Sequence, residues 1–113
     1  MPGTRNLDKS EFVQKAIDFC LEKNIYLAAI CAAPSVILGS RGLLKGKRAT
    51  CYPGMEGGMI GAQAMAVPCV ADGKIITGRA AGAAMDFAVA LCAAVCGGVA
   101  AEKVAGDVCH ALQ

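Results

Sequence analysis

Cys31 occupies the position in this chain where a cysteine is best placed to act as a nucleophile. It follows a short apolar run, residues 25–30, and precedes Pro34, which suits the first turn of a helix. This order predicts a sharp strand-to-helix turn of the nucleophile-elbow type. The helix N-terminus would favour the thiolate, which is the reactive form, and the backbone amide of Ala32 would donate to an oxyanion. The alternative is a small buried apolar residue, and spacing alone does not decide between the two.

Other thiols and the single histidine suggest weaker alternatives. Cys51 ends a predicted strand near the elbow, so a disulfide or redox relay with Cys31 is conceivable, although sequence cannot supply the sulfur geometry. A zinc site is the second alternative, and its ligands would be Cys92, Cys96, Cys109 and His110. The Cys-x3-Cys spacing is weak evidence for zinc, so we expect Cys92 and Cys96 to be core thiols. We expect His110 at the surface or at a helix end.

The charged residues argue against a nucleic-acid partner and leave a small anion-binding site possible. The net charge is +2 and the basic residues are scattered, whereas nucleic-acid binding requires a basic face with stacking aromatics. Arg79 follows a predicted strand and could bind an anionic substrate or form a salt bridge in a dimer, but a structural role is favoured. Glu56 is a possible carboxylate neighbour of Tyr52 in a loop that the sequence determines poorly.

The elements that would position these residues alternate between helix and strand. A capping-box spacing of Asp8 and Glu11 opens the first helix, and Asp72-Gly73 is a strong hairpin turn. We predict helices over 9–22, 33–40, 83–95 and 99–111, strands over 25–30, 48–51, 69–71 and 74–77, and a loop over 54–65. The chain would begin on a loop. This order predicts an α/β layered domain.

Several segments together resemble the ThiJ/PfpI family. The opening residues 1–7 are similar to the stretch that follows the family's Gly-Gly turn. The other matching segments are the elbow Ala29-Ile30-Cys31-Ala32-Ala33-Pro34, the turn 42–46, the segment 48–54, the hairpin 72–77 and the loop with its helix, 78–88. The resemblance covers nearly the whole chain and is weakest over 55–68.

The resemblance implies a flavodoxin-like three-layer α/β sandwich in which residues 1–113 form a single domain, the C-terminal portion of a longer one that lacks its N-terminal βα units. Cys31 matches the family's reactive cysteine and Ala32 one backbone oxyanion donor. Tyr52 stands where some relatives carry a histidine, and it is a poor general base near neutral pH. The family's glutamate and Gly-Gly turn belong to the absent units, so the site is incomplete in this chain.

The implied function is a cysteine-dependent reaction on small carbonyl compounds or their protein adducts, of the glyoxalase, deglycase or hydrolase kind, with no cofactor and no metal. The alternatives are a redox-sensing or chaperone-like protein with an oxidisable cysteine, and an inactive chain that exists only within an assembly. The expected partners are a small carbonyl substrate and either a second copy, as a homodimer, or a complementary N-terminal segment.

Cysteine usage and the apolar segments indicate the compartment. Seven cysteines, an odd number, and no secretory signal at the N-terminus predict free thiols in the cytoplasm. The apolar stretch 80–101 contains Asp86 and is rich in alanine, which inserts weakly into lipid. We therefore expect a packing helix there and no membrane partner.

Overall fold

The computed structural model describes residues 2–111, which form four α-helices, five strands and three shorter helical turns. The helices are α1 (Pro2–Lys9), α2 (Glu11–Glu22), α3 (Ala84–Cys96) and α4 (Gly98–Asp107), and the strands are β1 (Leu27–Ile30), β2 (Arg48–Ala49), β3 (Gln63–Ala64), β4 (Cys69–Asp72) and β5 (Ile75–Gly78). A π-helical turn, Pro34–Gly39, follows β1 and is called the elbow helix below. Two 3₁₀ turns cover Glu56–Gly58 and Ala81–Ala83.

The N-terminal region is more helical than the sequence suggested. The prediction of an opening loop is wrong, because Pro2–Lys9 form α1. The predicted cap is also wrong: Asp8 lies inside α1, and Ser10 caps α2 instead by accepting a hydrogen bond from the Val13 amide at 3.3 Å. A serine at the N-cap satisfies an amide that the first turn of a helix leaves free.

The main sheet has the strand order β1-β5-β4. β1 runs parallel to β5, with Leu27 opposite Ile75 and Ile30 opposite Gly78. β4 and β5 form the antiparallel hairpin that Asp72-Gly73 predicted. The predicted strand 48–51 is shorter, since only β2 is extended, and it pairs in parallel with β3 inside the segment predicted as a loop.

Helices cover both faces of this sheet, which makes three layers. Ile75 belongs to one buried cluster with Ile17 of α2 and Ile37 of the elbow helix. Side chains alternate along a strand, so Gly78 faces the other side, where it lies against Phe87 of α3. α4 packs on α3 as the second helix of an antiparallel pair. No helix among residues 2–111 is both long and apolar enough to cross a bilayer.

The elbow helix is held by a close backbone contact. A Cβ atom at Gly39 would lie 2.1 Å from the carbonyl oxygen of Gly58, and one at Gly58 would lie 2.0 Å from Ser35 Oγ. The Ser35 hydroxyl donates a hydrogen bond to the Met55 carbonyl at 2.8 Å. The elbow helix therefore packs directly on the segment that follows Cys51, and this contact fixes the two sides of the candidate site relative to each other.

Candidate functional site

Cys31 lies in the turn between β1 and the elbow helix with a backbone φ of +66°. Residues other than glycine rarely adopt this left-handed conformation, and such strain is concentrated at functional sites. Two backbone hydrogen bonds hold the turn. The Cys31 amide donates to the Gly78 carbonyl at 3.0 Å, and the Cys31 carbonyl accepts from the Tyr52 amide at 2.7 Å. Cys31 as a residue is partly exposed.

Ala32 and Tyr52 flank this turn in different ways. Ala32 is buried, and its amide donates no hydrogen bond to another group of residues 2–111, so it is free to bind an oxyanion. Tyr52 contributes its backbone amide to the elbow, while its side chain is 48% exposed. The structure thus gives Tyr52 a positioning role through its backbone. The catalytic roles predicted for Cys31, Ala32 and Tyr52 remain predictions.

Cys51 lies beside the elbow and is fully buried. Burial raises the pKa of its thiol, the negative charges of Glu56 and Cys31 raise it further, and the positive charge of Arg79 lowers it. Cys51 is therefore a protonated neighbour of Cys31 at neutral pH, and all seven cysteines are free thiols. A buried hydrogen bond from the Thr50 amide to Thr77 Oγ1, 3.0 Å long, ties this segment to β5.

Two residues that hold the site together were missed by the sequence analysis. Ser35 fastens the elbow helix to Met55, and Thr77 fastens Thr50 to the sheet. Both are buried hydroxyls inside apolar segments. A buried hydroxyl must find a partner, so a lone serine or threonine in an apolar run is the sequence signal that could have identified them.

A cavity of about 280 Å³ is lined by residues from three loops and from α3: Pro53, Pro68, Arg79, Ala80, Gly82, Ala83 and Asp86. Asp86 is bonded to His110, with 2.9 Å between Oδ1 and Nε2. This contact corrects the expectation of a surface or helix-end histidine. The chain turns back after α4 and inserts the ring, which is 22% exposed, against α3.

The remaining thiols do not form a site. Cys96 and Cys109 are exposed and Cys92 is half-buried, so the expectation that Cys96 is a core thiol is wrong. The alanine-rich sequence of α3 favours burial, but the end of this helix is exposed, as Val95 at 71% exposure also shows. Burial and the charge of Asp86 raise the pKa of Cys69. Within residues 2–111, no three side chains of His, Cys, Asp or Glu lie close enough together to hold a metal ion.

The profile of the DJ-1/PfpI family matches residues 1–94. The chain is 37% identical over 107 residues to protein DJ-1 homolog B of Arabidopsis thaliana, covering 94% of this chain and 24% of that protein. It is 30% identical over 89 residues to a protein of Pyrococcus abyssi named a deglycase, covering 73% of this chain and 52% of that one.

Solved structures agree with this match. Oxidized DJ-1 of Toxoplasma gondii superposes with a TM-score of 0.92 and 27% identity, covering 99% of this chain and 61% of that chain. DJ-1beta of Drosophila melanogaster superposes with a TM-score of 0.88 and 29% identity, also covering 99% and 61%. The chain therefore spans about a quarter to about three fifths of the length of these relatives.

The layered sheet and the cysteine elbow define the class as a flavodoxin-like α/β protein. The chain belongs to the DJ-1/PfpI family.

Proposed function

We propose that this protein carries a cysteine-dependent activity on small carbonyl compounds or their protein adducts, of the deglycase or glyoxalase kind. The observation that carries the proposal is the strained elbow at Cys31, with a partly exposed thiol and a free amide at Ala32. The name of the Pyrococcus relative, a deglycase, supports the same class of activity. Seven free thiols are consistent with a reducing compartment, and we propose the cytoplasm.

The first chemical step follows from this geometry. The Cys31 thiolate adds to the carbonyl carbon of an aldehyde, a carbon–sulfur bond forms, and the carbonyl π electrons move to the oxygen. The Ala32 amide donates a hydrogen bond to that oxyanion, which then takes up a proton from water to give a hemithioacetal. No carboxylate of residues 2–111 forms a hydrogen bond with the Cys31 thiol, so the later proton transfers require a group from elsewhere.

Loss of the thiol tests the proposal. Cys31→Ser is expected to abolish turnover of methylglyoxal, because a serine hydroxyl without a base is a much weaker nucleophile than a thiolate. Cys96→Ser is the matched control, since Cys96 is an exposed thiol on the last turn of α3. Circular dichroism establishes that both variants fold. Unchanged turnover by Cys31→Ser would exclude Cys31 from the reaction.

We further propose that an extended segment completes the sheet along β1. The amides of Leu27 and Cys31 donate to carbonyls at Lys74 and Gly78, at 2.8 and 3.0 Å. Peptide groups alternate along a parallel strand, so the amides and carbonyls of Ala28 and Ile30 point to the free edge of β1.

An apolar cavity of about 360 Å³ surrounds this free edge and supports the same proposal. Its lining comes from both faces of β1 and from the helices on either side: Thr4, Leu7, Val13, Ile17, Leu27, Ala28, Ala29, Ile30, Ala33, Ile37, Leu38 and Phe87. Parallel strands are normally buried on both faces and paired on both edges. The Toxoplasma gondii relative contains further chain beyond the 61% that this chain matches. The occupant we propose is a complementary N-terminal segment.

Titration with the remainder of the Toxoplasma gondii DJ-1 chain, expressed by itself, tests this docking. Binding is expected to slow hydrogen exchange at the amides of Ala28 and Ile30, and Ala28→Pro is expected to abolish binding because proline removes the free donor. Ala66→Pro, in an exposed segment outside the sheet, is the control. If the chain instead sediments as a dimer that Ala28→Pro dissociates, the occupant is a second copy and the proposed segment is wrong.

A redox-sensing role is the second candidate, favoured by the pairing of a partly exposed thiol, Cys31, with a buried one, Cys51, whose pKa is raised. A relative in this fold was solved in an oxidized form. Mass spectrometry after mild peroxide is the test. A sensor would oxidise first at Cys31. Equal oxidation at Cys31, Cys96 and Cys109 would contradict a tuned sensor.

A further inference from the structure

Cys31 and Arg79 occupy equivalent positions at the end of two paired parallel strands. β1 ends at Ile30 and β5 at Gly78, and these two residues lie opposite each other in the register. Each strand is followed at once by a residue with a functional side chain, Cys31 after β1 and Arg79 after β5. Ligands of α/β sheets bind beyond the carboxyl ends of parallel strands, so both side chains are at the end where a substrate would bind.

Arg79 lines the cavity of about 280 Å³ described above, and Cys31 lies just outside its lining. Two of its lining residues, Pro53 and Arg79, directly follow in sequence the residues that hold the elbow, Tyr52 and Gly78. The Tyr52 amide bonds the Cys31 carbonyl, and the Gly78 carbonyl bonds the Cys31 amide. The cavity therefore begins one residue away from the elbow on two sides, and Arg79 forms part of its wall.

The charge of Arg79 is not neutralised by the protein. Its guanidinium forms no ion pair and no side-chain hydrogen bond within residues 2–111. Asp86 lines the same cavity, but its carboxylate is bonded to His110 at 2.9 Å. Arg79 lowers the pKa of Cys51 and Cys31 raises it, so both residues lie near the same buried thiol. A half-buried cation without a partner, in a cavity beside a nucleophile, is suited to bind an anion.

We propose that Arg79 binds a carboxylate of the substrate, so that the protein prefers small aldehydes and ketones that carry a carboxylate over neutral ones. This inference rests on the proposed function of Cys31 and adds the chemical class of its substrate. Arg79 presents up to two parallel N–H donors to the carboxylate and holds the carbonyl carbon near the Cys31 sulfur. The addition itself is the step given above, and Arg79 takes no part in bond formation.

Alkylation by iodoacetate and iodoacetamide tests the inference without requiring turnover. The two reagents have similar size and differ in charge, and each forms a carbon–sulfur bond with a thiolate while iodide leaves. Peptide mass spectrometry gives the rate of alkylation by iodoacetate divided by the rate of alkylation by iodoacetamide. This ratio is measured at Cys31 and, within the same molecule, at the exposed Cys96. We expect the ratio at Cys31 to exceed that at Cys96 by about fivefold or more, because Arg79 attracts the carboxylate.

Variants identify the residue responsible. Arg79→Gln is expected to reduce the Cys31 ratio to that of Cys96, and Arg79→Lys to retain part of the excess, since it keeps the charge and loses the fork of donors. Arg48→Gln is the matched control. It removes the same charge at the opposite end of the sheet, near Asp72, and is expected to leave the ratio unchanged.

The outcomes separate the two proposals. The role of Arg79 would be overturned if Cys31 reacts readily with iodoacetamide but has the same iodoacetate-to-iodoacetamide ratio as Cys96. It would also be overturned if Cys31 keeps a high ratio in Arg79→Gln. Either result would leave the proposed nucleophile intact. A Cys31 that is slower than Cys96 with both reagents would overturn the proposed nucleophile itself, and the inference with it.

Discussion

The left-handed backbone at Cys31 predicts that glycine is more stable than alanine at this position. Both substitutions remove the thiol, so they differ only in the Cβ atom that opposes a φ of +66°. Alanine keeps the strain, whereas glycine has no Cβ and adopts this conformation without steric cost. The pair Cys31→Gly and Cys31→Ala therefore measures the strain that the fold stores at the proposed nucleophile.

The magnitude follows from two opposing contributions. A left-handed conformation costs an L-residue about 1–2 kcal/mol, which glycine avoids. Glycine loses about 0.5–1 kcal/mol through the greater freedom of the unfolded chain. The hydrogen bonds from the Cys31 amide to Gly78 and from the Tyr52 amide to Cys31 involve backbone atoms only, so both variants keep them. The net expectation is a free energy of unfolding that is larger for Cys31→Gly by about 0.75 kcal/mol, the centre of a range from about 0 to about 1.5 kcal/mol.

Urea denaturation followed by far-UV circular dichroism measures this difference. With a slope of about 2 kcal/mol per molar, the midpoint of Cys31→Gly is expected about 0.4 M above that of Cys31→Ala. The control is the same pair at Cys92, inside α3. There glycine should be the less stable member by about 1 kcal/mol, because it is a poor helix former.

The sign of the difference in free energy of unfolding between the glycine and alanine variants tests whether the elbow is strained. If Cys31→Gly is equal to or less stable than Cys31→Ala while the Cys92 pair behaves as expected, the elbow is not strained and the argument from φ to function fails. A difference of the same sign at both positions would mean that the measurement reports a general effect of glycine.

Three further predictions concern the framework of the site. Gly39→Ala is expected to destabilise the fold by about 3 kcal/mol, because its Cβ would lie 2.1 Å from the Gly58 carbonyl oxygen; a loss below about 1 kcal/mol in urea denaturation would contradict this contact. Ala29→Pro should lower the free energy of unfolding by about 2 kcal/mol more than Ala28→Pro, since only the Ala29 amide points to β5; equal losses would refute the assigned edge. Folding raises the pKa of Cys51 above its usual value of 9.0, so this thiol ionises first in the unfolded chain. The free energy of unfolding should therefore fall as pH rises above about 9, and it should fall less steeply in Cys51→Ala. The same pH dependence of stability in both proteins between about pH 8 and about pH 10 would refute this prediction.

The parts of the fold that depend on local signals were predictable from sequence. The Asp72-Gly73 turn set the hairpin because few other dipeptides adopt the required backbone. The apolar run 25–30 predicted β1, and the helix predicted over 83–95 matches α3 to within one residue at each end. The elbow was predictable from local sequence too, since an apolar strand followed by Cys31 and Pro34 leaves the backbone few alternatives.

The parts that depend on distant contacts were not predictable. β3 is only two residues long, and it exists because β2 provides a partner. The burial of Cys51 and the exposure of Cys96 depend on where each element ends relative to the sheet, which periodicity does not report. The return of His110 to Asp86 joins residues 24 positions apart through the turn between α3 and α4. Arg79 was recognised as a possible anion-binding residue, but only the register of β1 and β5 places it beside Cys31.

Backbone groups of residues 2–111 hold the proposed nucleophile in place, whereas no carboxylate of these residues is hydrogen-bonded to its thiol. Gly78 and Tyr52 hold the strained turn from within residues 2–111, so the elbow does not depend on the open edge of β1. The acid or base for the later proton transfers is not bonded to Cys31 in these residues, and the free edge is where further chain would dock. Alkylation of Cys31 should therefore be a property of this chain by itself, whereas carbonyl turnover should rise when the edge is filled. A thiol that becomes reactive only after docking would show that the elbow needs the proposed segment for its geometry as well as for its chemistry.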